Sequence, residues 1–161
     1  MTKVYLSLGS NMGDRQGFLQ AAVAKLSQNP DNKLIKASAY YQTSPVGGVV
    51  QDDFINQALL METDLSATDL LDLIHEIEAS LDRKRLVHWG PRTIDIDILF
   101  YGDTQLDTKA LSLPHPEVFN RLFVLVPLAE IMPRDFTYYD QVEAAIKHLQ
   151  VSEQKIERIG N

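Results

Sequence analysis

The pattern of apolar and polar positions predicts most of the chain's elements. Lys3 to Leu8 alternates as a strand does and ends at Gly9-Ser10-Asn11-Met12-Gly13-Asp14. A helix comes next, with Phe18, Leu19, Ala22, Val23 and Leu26 on one side, closing near Asn29-Pro30. Leu34 to Thr43, rich in residues suited to a sheet, reads as a second strand, broken by Ser44-Pro45-Val46-Gly47-Gly48. A loop then runs to about Asp53, and Phe54 to Thr63 is a third strand. Ser66 with Asp69 three residues later resembles a capping box. It opens a helix whose stripe is Leu70, Leu73, Ile74, Ile77 and Leu81. Glu78 lies at the edge of that stripe, where a carboxylate can face a cleft. Ile94 to Phe100 is a short strand turned by Tyr101-Gly102-Asp103, and Pro114-His115-Pro116 marks an irregular segment. Val142, Ala145, Ile146 and Leu149 give a last short helix, and Lys155 to Ile159 adds an edge strand.

The order strand, helix, strand, strand, helix, strand points to an α+β fold. It predicts a ferredoxin-like βαββαβ core with a largely antiparallel sheet packed by helices. With 161 residues, 45% apolar and 23% charged, the chain can bury a real core as one domain, 1–161. No run approaches the roughly 20 apolar residues that cross a bilayer, and the N-terminus has no signal-peptide pattern. Cysteine is absent, which removes disulfides and thiolate chemistry and favours the cytoplasm. A formal net charge of −7 argues against general binding to nucleic-acid backbone. A local anion site remains open, because Arg83, Lys84, Arg85, His88 and Arg92 sit together. By itself such a run is more often a solvated helix end.

The segment just after that run shifts the balance. Ile94-Asp95-Ile96-Asp97-Ile98 alternates strictly, so Asp95 and Asp97 share one face and the isoleucines pack on the other. The carboxylates then stand about 6.5–7 Å apart along the strand. Two magnesium ions roughly 3.5–4 Å apart fit between such groups. Magnesium takes oxygen ligands, keeps waters and is often held by one or two carboxylates plus substrate phosphates. The ordinary alternative is an edge strand with a solvated acidic face. Trp89-Gly90-Pro91-Arg92 weakens it, since a guanidinium three residues before Asp95 suits phosphate oxygens and Trp89 can stack on a flat ring. Gly9-Ser10-Asn11-Met12-Gly13 matches neither a Walker A loop nor a dinucleotide fingerprint and reads as a strand-to-helix turn. His115, alone in a proline-kinked loop, is of the kind that is often structural.

Together these residues resemble the 6-hydroxymethyl-7,8-dihydropterin pyrophosphokinase family of folate biosynthesis. The likeness runs from Gly9-Ser10-Asn11 to Arg121-Leu122-Phe123, and its most specific element is Trp89-Gly90-Pro91-Arg92-Thr93-Ile94-Asp95-Ile96-Asp97-Ile98-Leu99. Thr43-Ser44-Pro45-Val46-Gly47, Phe54-Ile55-Asn56, Glu78, Arg83-Lys84-Arg85, Pro114-His115, Asn120-Arg121 and Phe123 support it. The resemblance implies transfer of pyrophosphate from ATP to the hydroxymethyl group of a reduced pterin, with release of AMP. It implies that Asp95 and Asp97 hold two magnesium ions and that Arg83 and Arg92 act beside them. Arg83, Arg92 and Arg121 would neutralise phosphate charge, with Arg85 as a further candidate. Glu78, Ile98, Ser112 and His115 would line the ATP site. The pterin would lie between Trp89 and Phe123, near Phe54, its edges read by Asn56, Thr43 and backbone near Ser44 and Val46. The family usually acts as a monomer, and ATP and the pterin are the partners implied, with no nucleic acid and no membrane.

Three departures from the family pattern stand out. His88 replaces a common arginine with a titratable group, and Phe54 replaces a tyrosine of some members. The stretch from Glu78 to Trp89 is one residue shorter than in some relatives, which bears on the alignment of Arg83 and Arg85. Loops Ser44–Asp53 and Leu81–His88 are candidates for closing over substrates. The competing reading is a non-catalytic nucleotide or small-ligand module on the same fold. Such a module has no need of paired aspartates opposite an arginine cluster. A nucleic-acid-binding variant fits less well, for want of a basic strand with interleaved aromatics.

Overall fold

The structure, a computed structural model, describes residues 1–43, 53–81, 93–150 and 156–160. The elements in order are β1 (Thr2–Ser10), α1 (Arg15–Gln28), β2 (Asn32–Ala37), β3 (Tyr40–Thr43), β4 (Phe54–Thr63) and α2 (Ala67–Leu81). Next come β5 (Asp95–Tyr101), β6 (Leu106–Asp107), β7 (Ser112–Leu113), a 3-10 turn (Val118–Asn120), α3 (Leu122–Ile131), α4 (Tyr139–Leu149) and β8 (Ile156–Gly160). The main sheet runs β5-β1-β4-β3-β8, with β2 also on β4 and every pairing antiparallel. Its β5-β1-β4-β3 portion carries the expected βαββαβ order. β6 and β7 form a separate small hairpin.

Each face of the sheet has its own core. Val4, Leu6 and Leu8 of β1, Leu59 and Met61 of β4, and Ile96 and Ile98 of β5 pack with Leu19, Ala22 and Leu26 of α1 and Leu70, Ile74 and Ile77 of α2. The helix caps obey the sequence. Asp14 accepts the Gly17 amide at 3.1 Å, and Ser66 Oγ accepts the Asp69 amide at 3.1 Å. β1 runs two residues past Leu8, with Gly9 and Ser10 still paired to β4, so the expected strand-to-helix turn begins only at Asn11 and includes Gly13 at φ 67°, where L side chains are strained.

The stretch Leu34–Thr43, expected as one strand, is two. β2 and β3 lie along the same edge of β4, but the register slips twice. Leu34 pairs with Met61 and Lys36 with Leu60, so Ile35 is an extra residue, and its side chain is left exposed. Between the pairs Ala37–Leu59 and Tyr41–Asn56, four steps on one strand oppose three on β4. Such bulges break a period of two, which is why alternation alone could not place the boundary. The second slip is held by Ser38. Its amide donates to Ala58 O at 2.9 Å, and its hydroxyl accepts from Ala58 N at 2.9 Å and donates to Ala39 O at 2.8 Å. Lys33, Lys36 and the bulge at Ile35 blunt the outer edge of β2.

The other face is covered by α3 and α4, and α3 carries no forecast from the sequence pattern. Its segment, Leu-Phe-Val-Leu-Val-Pro-Leu-Ala-Glu-Ile, is apolar nearly all round and holds Pro127, so it shows no stripe. The structure explains this: α3 lies between β4 and α4, buried on several sides. Glu130 near its end ties it to the sheet. That carboxylate accepts the Ala39 amide at 2.8 Å and the Tyr41 hydroxyl at 2.6 Å, with Arg158 Nε of β8 at 3.5 Å. The last helix and the edge strand fall where expected, Lys155 itself lying outside the described residues. Among the described residues no helix is long and apolar enough to cross a membrane.

Replacing Ser38 by Ala should strand the buried Ala58 amide beside an apolar methyl. The expected cost is about 1–3 kcal/mol, read as a lower urea midpoint at unchanged slope.

Candidate active site

Among the described residues β5 is an edge strand, paired only with β1, and its side chains divide as the alternation requires. Ile94, Ile96 and Ile98 are buried in the first core, while Asp95 and Asp97 point to the opposite face and are half-exposed. The register sets Asp95 beside Gly9 and Asp97 beside Ser7 on β1, and Gly9 in turn beside Asn56 on β4. One end of this face therefore carries Asp95, Gly9 and Asn56 in one row and Asp97, Ser7 and Ala58 in the next. Farther along, Tyr5, Leu60, Leu99 and Phe100 are sealed under α3 and α4.

The Asn56 end of the row is preorganised. Asn56 and Thr43 are both buried, and Asn56 Nδ2 donates to Thr43 Oγ1 at 2.9 Å. Gly9 makes room for that amide, since a Cβ there would sit 2.8 Å from Asn56 Oδ1. The Phe54 ring lies on the same side, 3.7 Å from that position. Sequence reasoning missed Gly9 as a site residue. Its role emerges only once the register sets it against Asn56.

On the Asp97 side, the irregular loop after β7 delivers His115. Its amide donates to Leu99 O at 2.9 Å, which fastens the loop to β5. Its Nδ1 accepts the Glu117 amide at 3.1 Å, so the ring proton sits on Nε2, which is 3.9 Å from Asp97 Oδ1. That distance exceeds a hydrogen bond. Burial lowers the His115 pKa below its ordinary value of 6.5 and Arg121 lowers it further, against the opposing pull of Glu117 and Asp95. Arg121 precedes α3, and its guanidinium carbon lies 5.9 Å from the centre of the Phe123 ring. Glu117, which fixes the imidazole, was also missed; its contribution is a backbone amide and leaves no mark on residue type.

Other expected site residues are placed less simply. Glu78 Oε2 accepts the Ile96 amide at 2.9 Å, so this carboxylate is engaged on the outer edge of β5. The Ile98 side chain is in the core on the face away from the aspartates. What Ile98 offers a ligand is its backbone, which by the alternation of the ladder faces the same outer edge as the Ile96 amide. Ser112 sits in the small hairpin, its hydroxyl 3.3 Å from Asp107. Ser44, Val46, Arg83, Arg85, His88, Trp89 and Arg92, and most of both loops expected to close, lie outside the described residues.

Among the described residues, no group of three or more His, Asp or Glu side chains could hold a metal. Two carboxylates on one strand face are the available donors. That all-oxygen, incomplete set fits magnesium whose remaining ligands are water and substrate phosphate, rather than a caged structural ion.

The fold and this face define an α+β protein of ferredoxin-like topology carrying two carboxylates on one strand face beside a buried polar pair. The chain belongs to the 7,8-dihydro-6-hydroxymethylpterin-pyrophosphokinase (HPPK) family, whose profile matches residues 5–133. It is 52% identical over 156 residues to the bifunctional protein FolKE of Lactococcus lactis subsp. cremoris, covering 97% of this chain and 45% of that one. It thus spans less than half the length of that relative. It is 47% identical over 127 residues to the 2-amino-4-hydroxy-6-hydroxymethyldihydropteridine pyrophosphokinase of Bacillus subtilis, covering 79% of this chain and 76% of the other. A solved structure of Plasmodium falciparum HPPK-DHPS A437G matches with a TM-score of 0.68 at 15% identity, over 92% of this chain and 46% of that one. At that identity the match speaks for the fold.

Titration of His115 by NMR should give a pKa below 6.5 with the Nε2–H tautomer near neutrality. Arg121→Ala should raise that pKa, because it removes a cation that opposes protonation; an unchanged value would mean that Arg121 does not act on the ring.

Proposed function

We propose that this chain transfers pyrophosphate from ATP to the hydroxymethyl group of 6-hydroxymethyl-7,8-dihydropterin and releases AMP, as a step of folate biosynthesis. The observation that carries this reading is the shared face. Asp95 and Asp97, half-exposed, stand at the same end of one sheet as the buried Asn56–Thr43 pair, across Gly9. On this reading a polyphosphate held at the aspartates would lie next to the polar pair that reads the heterocycle. Family membership supplies the identity of the two substrates.

Release of AMP means that the hydroxymethyl oxygen attacks the β-phosphorus. A bond forms there, the bond from the β-phosphorus to the oxygen it shares with the α-phosphorus breaks so that AMP leaves with that oxygen, and the proton of the attacking hydroxyl passes to water. Such transfers rest on position and charge neutralisation more than on covalent help from the protein. Asp95 and Asp97 would hold magnesium, two ions in this proposal, which when bound supplies positive charge at the phosphate oxygens. Arg121, with Arg83, Arg85 and Arg92, would bind the remaining phosphate charge. His115, neutral near pH 7, offers Nε2–H as a donor to a phosphate oxygen without adding a cation. Ser112 and the Ile98 backbone would line the nucleotide. Asn56 and Thr43 would read the pterin edge, with Phe123, Phe54 and Trp89 against its faces and backbone near Ser44 and Val46 beside it. Residues 1–161 are taken as one pyrophosphokinase unit, because both hydrophobic clusters pack on a single sheet.

The test is product analysis. With magnesium, ATP and the hydroxymethylpterin, the protein should yield AMP; ADP as product would refute pyrophosphoryl transfer. Asp97→Ala should lower turnover at least about 100-fold while leaving the unfolding midpoint within about 0.5 kcal/mol of the parent, since Asp97 faces the site and not the core. Full activity in that variant would overturn the metal role.

A further inference from the structure

We propose that Glu78, beyond the place in the ATP site that the family resemblance implies, is a positioning residue for the two aspartates, acting through the main chain of β5. The inference rests on the reading that Asp95 and Asp97 hold metal. Asp95 is the first residue of the strand and Asp97 the third. Among the described residues the strand has a partner on one side only, β1. The first turn of an edge strand is where a ladder frays, and fraying here would separate the two carboxylates. The residue between them, Ile96, directs its amide to the open side, and Glu78 Oε2 takes it at 2.9 Å. Glu78 stands on α2, which is fixed by Leu70, Ile74 and Ile77 in the first core. Ile96 is itself buried in that core. The bond therefore spans from a rigid helix to the middle of the Asp-Ile-Asp triplet and closes the side that β1 leaves open.

Two roles can be separated by chemistry. Merely protecting a sheet edge would affect stability and leave the metal dependence of turnover alone. Direct contact with the nucleotide would raise the ATP KM at saturating magnesium and leave exchange of the Ile96 amide without substrate unchanged. Positioning through the Ile96 amide requires only an acceptor oxygen, which glutamine retains. Partners that orient metal ligands typically change metal affinity or activity about 10–100-fold when lost.

The experiment compares Glu78→Ala and Glu78→Gln with the parent protein by two readouts. Hydrogen exchange of the Ile96 amide, measured by NMR without substrate, should be slow in the parent and in E78Q and at least about 10-fold faster in E78A. The magnesium concentration for half-maximal AMP formation should rise about 10-fold or more in E78A, with pterin KM changed less than twofold, and return towards the parent value in E78Q. An unchanged magnesium dependence in E78A, or E78Q as impaired as E78A, overturns the proposal. Fast exchange at Ile96 in the parent overturns it as well, whatever the activity. A parent protein that forms no AMP would instead count against the proposed reaction, and the exchange measurement would still decide whether Glu78 holds the strand.

Discussion

Everything in this molecule depends on one strand doing two opposed things within five residues. β5 and the residue just before it must drive Ile94, Ile96 and Ile98 into a dry core and hold Asp95 and Asp97 half-exposed on the other face. A period of two makes this possible on a single strand, but only if one face stays open where the aspartates stand. Burying an ionised carboxylate without partners costs far more than a few apolar contacts return. The second helical layer therefore stops short. α3 and α4 cover Tyr5, Leu60, Leu99 and Phe100 and leave the end with Ser7, Gly9, Asn56 and the aspartates to polar chemistry.

The transition from open site to sealed core happens at one bulge. Tyr5 pairs with Phe100 but Leu6 with Ile98, so Leu99 is inserted and the phase of β5 shifts. Leu99 and Phe100 consequently both enter the second core, and Tyr101 falls back to the first, its hydroxyl donating to Leu65 O at 2.6 Å. The same residue is the anchor of the histidine loop, since Leu99 O accepts the His115 amide. The bulge thus ends the acidic face and fixes the distance at which His115 approaches it.

What could be read in the sequence tracks what the physics makes periodic. α2 and the Asp95–Asp97 face were legible because each has one wet side and one dry side, whereas β1 and β4, buried on both faces, were legible as short apolar runs bounded by turn signals. β2 and β3 were merged because two slips in register leave no trace in residue type until the partner strand is known. α3 was invisible for the opposite reason: a helix buried on several sides has no stripe. At the site, the aspartates came from alternation, whereas the pterin came from resemblance to a family and from nothing in the spacing. Gly9 and Glu117 were missed because their contributions are an absent side chain and a backbone amide.

The same distinction bears on how residues should be assigned roles in this fold. Ile98 belongs to a motif that implies a nucleotide contact, yet its side chain is in the core opposite the aspartates. The two facts agree if the ligand meets main chain. β5 presents a row of outward backbone groups along its open edge, of which the Ile96 amide is taken by Glu78 and the Leu99 carbonyl by His115. Between these two pins stand the outward groups of Ile98. An edge strand is ordinarily a liability that proteins blunt; here it is blunted on either side of one residue. The constraint on position 98 is then twofold and separable: an apolar branched side chain to fill the first core, and any backbone that can stay extended. Packing calls for the isoleucine side chain, while the nucleotide contact proposed for this position would need only the peptide group.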